Sequence, residues 1–110
     1  MNWRPYLGRL NALVTVEIPQ DALDAGGATR RSFSVYGQVW AQIKPIRLFM
    51  RAEAGRQSGV VSHMIIFRAI AGFSCDWRLR RGDRMFLVDS FYDGDEVSGF
   101  TRALCQEVRP

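Results

Sequence analysis

Apolar and polar positions alternate through most of the chain. From Leu10 to Ile18, the residues Leu10, Ala12, Val14, Val16 and Ile18 fall on one face, and Asn11, Thr15 and Glu17 on the other; Leu13 breaks the polar side. Period two with β-branched residues marks a half-buried strand. Pro19, which cannot donate to a ladder, is expected to end it. Gln20 to Arg31 carries Asp21, Asp24, Gly26, Gly27 and Arg30-Arg31. It is expected to be a flexible connection, with room for one helical turn near Ala22. Alternation returns from Ser32 to Lys44, with Phe33, Val35, Val39, Ala41 and Ile43 on one side and Tyr36 and Trp40 on the other. Gly37 inside this run predicts a bulge or sharp bend, and Pro45 closes it.

The period changes after Pro45. Ile46, Phe49 and Met50 are spaced as on one helix face, and Arg47 and Arg51 are four apart, so Ile46–Gly59 is either a short amphipathic helix or a long mobile loop. Val60 to Ala69 is apolar on both parities and predicts a central strand. Gly72-Phe73-Ser74 marks a turn and Trp77 to Arg81 a short strand. Gly82-Asp83 marks a tight hairpin turn into a strand from Met85 to Tyr92. Asp93-Gly94-Asp95-Glu96 is a turn by composition. The last strand, Gly99 to Val108, sets Phe100, Leu104 and Val108 against Thr101, Ala103 and Cys105. About six short strands separated by turn signals predict a mainly all-β fold, a small antiparallel barrel or sandwich with a long loop or short helix inserted between two strands. Val14, Val16, Val39, Ile43, Ile65, Phe67, Leu87 and Leu104 are expected in or near the core.

Length and composition narrow the reading. The 110 residues fit a single domain spanning 1–110, and 47% hydrophobic with 24% charged residues is an ordinary globular balance. No apolar run approaches the ~20 residues of a membrane span, and no secretion signal is evident at the N-terminus. Cys75 and Cys105 lie far apart and form no C-x-x-C, which predicts two thiols in a reducing cytoplasm. The net charge is +4, carried by 14 arginines and Lys44 alone. Arginine's planar fork suits phosphate and interface carboxylates, although a GC-rich coding sequence gives the same skew.

Candidate chemistry is sparse. His63 is the only histidine and sits in an apolar strand, where a structural role is expected. Two cysteines and one histidine spread over more than forty residues lack zinc spacing. Asp93, Asp95 and Glu96 lack the remaining ligands of a calcium loop. No phosphate-cradling glycine motif is present, so neither an enzyme nor a cofactor is indicated. The arginines remain. Arg78, Arg80, Arg81 and Arg84 crowd one hairpin, and Arg47, Arg51 and Arg56 mark the Ile46–Gly59 segment. A solvated face, a contact with another subunit and a contact with DNA phosphate all fit them. With 13 aromatics, a small basic nucleic-acid-binding barrel is the alternative reading.

Several segments, in order, carry a resemblance. Leu10-Asn11-Ala12-Leu13-Val14-Thr15-Val16 resembles the opening strand of the phage head–tail joining proteins. Val39-Trp40-Ala41-Gln42-Ile43-Lys44-Pro45 resembles the strand end of that family, and Ser62-His63-Met64-Ile65-Ile66-Phe67-Arg68 its next strand. Trp77-Arg78-Leu79 with Gly82-Asp83-Arg84-Met85-Phe86-Leu87-Val88 resembles its hairpin, and Ala103-Leu104-Cys105-Gln106-Glu107 its closing strand. The resemblance does not extend to residues 21–32, whose role it leaves open. The resemblance implies a head-closure, or stopper, ring in the neck of a tailed phage or gene transfer particle. It implies a hexamer assembled in the bacterial cytoplasm, between a portal-adaptor ring and a tail terminator or tail tube protein. Double-stranded DNA would pass through the channel without sequence preference, and no membrane is involved. On this reading Arg47, Arg51 and Arg56 face the channel or its DNA, while Ile46, Phe49 and Met50 pack the projecting segment. Arg78, Arg80, Arg81 and Arg84 meet a neighbouring subunit or ring.

Overall fold

Short turns between alternating segments force neighbouring strands to run antiparallel, and here they close on themselves. The computed structural model describes residues 10–23, 25–46, 61–92 and 99–108, with the backbone alone at 52–53 and 56–57. The strands are β1 (Ala12–Leu23), β2 (Thr29–Pro45), β3 (Ala52–Glu53), β4 (Arg56–Gln57), β5 (His63–Arg68), β6 (Arg78–Arg81), β7 (Arg84–Tyr92) and β8 (Phe100–Val108). Six of them form a closed barrel in the order β1-β2-β5-β8-β7-β6, with β6 returning to β1. Closure removes the free edges that would otherwise invite pairing with other chains. The described residues hold no helix. Within the Ile46–Gly59 segment, the expected helix or loop is instead a two-stranded ladder, Ala52↔Gln57 and Glu53↔Arg56, over its described part.

The interior follows strand parity. Val14, Val16, Ile65 and Phe67 are fully buried, and Val39 and Ile43 pack against them as expected. Leu87 and Leu104 do not belong to this core. Leu87 is 40% exposed, because its partners Arg78 and Gln106 place it on the outer face. Phe86 and Val88 point inward in its stead. Apolar residues occupy both parities of β7, so periodicity cannot choose between them. On β8 the small Ala103 and Cys105 face inward, opposite Ile65 and His63, which leaves volume for the rings of Phe67 and Phe86.

Two bulges re-aim the strands. Val16 pairs with Gly37 and Glu17 with Val35, so Tyr36 is an extra residue on β2; Asp89 plays the same part on β7. The bend expected at Gly37 is therefore present. It also reverses the parity beyond it. Cross-strand partners share a face, so Phe33 and Val35 lie with Glu17 on the outside, not with Val39 in the core. Val35 is 64% exposed.

β1 does not end at Pro19. It runs on to Leu23, pairing as far as Leu23↔Thr29. Pro19 lies past Glu17, the last residue paired to β6, where β1 has a neighbour on one side only and a missing N–H is tolerated. The stretch expected to be a flexible connection is thus a hairpin arm, turned at Gly27 with φ +87°. The arm leaves one end of the barrel. The described chain ends and the Pro45↔His63 pair, from which the 46–62 connection departs and to which it returns, lie at the other.

Phe67→Ala should cost about 3–5 kcal/mol, the usual range for emptying a buried aromatic site. Leu87→Ala, on the outer face, should cost less than about 1 kcal/mol. Denaturant midpoints of the two variants check the parity assignment directly.

Candidate functional site

The root of the 46–62 connection is polar and partly closed. Ile46 is half-buried, and its N–H donates to Ser62 O at 3.0 Å; Ser62 N–H donates to Cys105 O at 2.9 Å. His63 follows on β5, facing inward at the barrel mouth with its ring edge-on to Phe86, 5.4 Å between centroids. Arg84 donates to both carboxylate oxygens of Glu107, at 2.9 and 3.1 Å. Glu107 N–H donates to Ser62 Oγ at 3.0 Å. Arg84 also reaches His63 Nε2 at 3.4 Å. A guanidinium can only donate, so Nε2 accepts, and in the neutral ring the proton sits on Nδ1, which lies 2.9 Å from Ser62 Oγ. Burial pulls the His63 pKa below its ordinary value and Arg84 adds to the effect, while Glu107, 3.8 Å from Nε2, opposes it. His63 thus ties the root of the connection to β7 and β8.

The arginine hairpin is held within the chain. Arg78 and Arg80 project to the outer face, and both bond the carboxylate of Glu17, Arg80 at 3.3 Å. The Glu17 side chain keeps only 12% of its exposure. Arg78 also stacks on Phe33, its Cζ 3.8 Å from the ring centroid. Arg84 belongs to the His63 cluster at the mouth. Arg81, beside the turn that Gly82 makes with φ +60°, is exposed. Glu17 and Glu107, the anions that organise these arginines, escaped the sequence analysis. Glu17 reads as an ordinary polar strand position, and its partners lie sixty-one and sixty-three residues away. Arg47, Phe49, Met50 and Arg51 lie outside the described residues, and Arg56 is described only through its pairing with Glu53.

At the arm end, aromatic rings seal the barrel. Phe73 sits edge-on to Phe67, Trp77 and Phe91, with centroids 5.2, 5.3 and 4.9 Å away, and Tyr36 lies 5.3 Å from Trp77. Edge-to-face rings add to burial because their quadrupoles complement one another. Cys75 is exposed and Cys105 buried, both as free thiols. Burial pushes the Cys105 thiol up to about 12. No group of metal-binding side chains is found among the described residues. The Asp93–Glu96 turn lies outside them.

Comparison with known proteins adds to this geometry. The sequence family described as phage head completion protein matches residues 7–108. No curated protein matches the chain in sequence. Among solved structures, a chain in the virion of a native gene transfer agent particle is similar at TM-score 0.65 and 21% identity, over 91% of this chain and 96% of that one. A protein of Shigella flexneri 2a, solved in solution, is similar at TM-score 0.69 and 16% identity, over 97% and 96%. At these identities both likenesses speak to the fold.

Two outcomes follow from the clusters. Because the folded protein disfavours protonated His63, the unfolded chain binds the extra proton first as pH falls. This stability is complete above about 6.5, the unfolded value, and is lost as pH falls through the lower folded value. The denaturant midpoint should drop between pH 7.5 and 5, and His63→Gln should flatten that part of the profile. Glu17→Gln, which leaves Arg78 and Arg80 facing a neutral amide, should destabilise by about 1–3 kcal/mol; an unmoved midpoint would show that solvent already screens the cluster.

Proposed function

The chain belongs to the phage head completion protein family, and from that premise we propose that it forms the neck ring through which a DNA-filled head is joined to its tail, lining or closing the DNA channel. Its role is structural, as a component of a phage or phage-like particle. The observation that carries the reading is the family match over residues 7–108; the 46–62 connection, anchored at one mouth of the barrel by Ser62, His63, Arg84 and Glu107, supplies the segment that would reach the channel. That connection is too long for a hairpin turn.

In the proposed ring the connection points toward the axis. There Arg47, Arg51 and Arg56 meet DNA phosphates or a neighbour's carboxylates. Ile46, Phe49 and Met50 pack on the barrel or on the adjacent copy. Gly55, Ser58 and Gly59 give the segment hinge freedom, so that it is held across the channel in one state and displaced in another. Six copies would match a sixfold tail, with a portal-adaptor ring on the head side and a tail terminator or tail tube protein beyond. Arg81 is the hairpin arginine open to such a neighbour. Arg78, Arg80 and Arg84 would extend contacts they already make to Glu17 and Glu107.

Deleting Leu48 to Gln57 and joining the ends with a short Gly-Ser turn tests this. The shortened chain should keep the circular dichroism and melting behaviour of the barrel, because the deletion lies outside the closed ladder. Filled heads should leak DNA or fail to take tails. Full infectivity or transfer activity would overturn the channel role.

A further inference from the structure

We propose that the β1–β2 arm is the grip between copies of this chain: the β1 edge of one arm adds, antiparallel, to the β2 edge of the next. This rests on the ring reading above and names the surface that would build the ring.

The ladders define the surface. β1 and β2 pair from Ala12↔Ala41 to Leu23↔Thr29. β6 reaches β1 only over Thr15–Glu17, and β5 reaches β2 only over Ala41–Pro45. Beyond those limits, among the described residues, the ribbon of Ile18–Leu23 against Thr29–Ser34 has no third strand on either side. At about 3.4 Å per residue it projects roughly 20 Å, and the molecule measures 54 × 35 × 28 Å. A two-stranded ribbon is marginal by itself, and a long bare edge is a template for another strand. The outer edge of β2 from Thr29 to Gly37 carries no proline to blunt it. Pro19 leaves Gln20–Leu23 as the run on β1 able to donate throughout. Leu23 is 73% exposed on the ribbon, and Val35, at its base, is 64% exposed.

Charge identifies the occupant. The β1 side of the arm carries one acid, Asp21, and no base. The β2 side carries Arg30 and Arg31 and no acid. Within one arm Arg31 donates to both oxygens of Asp21, at 2.8 and 3.0 Å. A neighbour's β1 laid beside β2 repeats that acid-beside-base order from copy to copy. Pairing β1 with β1, or β2 with β2, would set like charges together. The favoured contact is therefore heterologous, the kind that closes into a ring when the rotation allows. Rotation about an axis along the arms keeps every β1 pointing one way and every β2 the other, so the added pair is antiparallel, as within the arm.

Two singly substituted chains test the contact, both carrying Cys75→Ser to remove the exposed native thiol: Ala22→Cys on β1 and Ser32→Cys on β2. The two sites share one face of the ribbon, through Ala22↔Arg30 and Gln20↔Ser32. They are assembled into particles separately and as differently tagged mixtures, then mildly oxidised. Mixed particles should yield reducible dimers joining the two variants, and particles of either variant alone should yield none. Same-variant dimers, or assembled rings with no cross-link, would overturn the arm contact and leave the ring reading standing. Particles that hold the chain as isolated copies would overturn both. As a second variant, Asp21→Arg with Arg31→Asp keeps the pair within each arm. Such copies should assemble with themselves and be depleted from rings of the unsubstituted chain; free mixing of the two would overturn the charge argument.

Discussion

Everything in this molecule hangs on a three-residue seam. β6 meets β1 only at Thr15, Val16 and Glu17, yet without that pairing the sheet is open along β1 and β6. The seam is held from both faces. Inside, Leu79 is fully buried between Val16 and Phe86, its partners on either side. Outside, Glu17 takes bonds from Arg78 and Arg80. A short ladder offers few backbone bonds, so the carboxylate that binds both arginines contributes more here than an isolated surface pair would.

Closure fixes what the rest of the chain can do. Past the seam β1 has no strand on its outer side, and before Ala41 neither does β2, so the hairpin continues as an arm. The Tyr36 bulge lies at this transition. It adds the twist that carries the ribbon off the barrel wall and turns Val35 outward. At the opposite mouth β2 and β5 part at Pro45↔His63. Polar groups that would otherwise be stranded there are paired: Ser62 N–H donates to Cys105 O and Glu107 N–H to Ser62 Oγ.

Much of this was legible from residue spacing. Alternation found the barrel strands, Gly82-Asp83 found its turn, and Gly37 announced a bulge. The ordered motifs around Trp40, His63 and the Gly82-Asp83 hairpin carry the resemblance to the head–tail joining proteins. What escaped has physical causes. Period two cannot choose a face where both parities are apolar, as at Phe86 and Leu87. It cannot count through an inserted residue, which moved Phe33 and Val35 outside. Proline and paired glycines between Pro19 and Gly27 read as a linker, because a free strand edge leaves no mark in composition. The partners of Glu17 and Glu107 come from distant strands, and no local pattern records them.

The arm and the 46–62 connection leave opposite mouths of one stiff cylinder, and that geometry bears on how such a chain can diversify. The seam pairs β1 with β6 alone, and Ile18–Leu23 and Thr29–Ser34 of the arm supply none of the clustered core side chains, touching the seam only where Phe33 lies under Arg78. The outer part of the arm, beyond Phe33, can lengthen, shorten or change charge without shifting the barrel strands. The interior, for its part, asks for volume and parity more than for particular residues. Relatives of this architecture can therefore drift far apart in sequence while their cylinders superimpose, and each end can be fitted to a new neighbour on its own schedule.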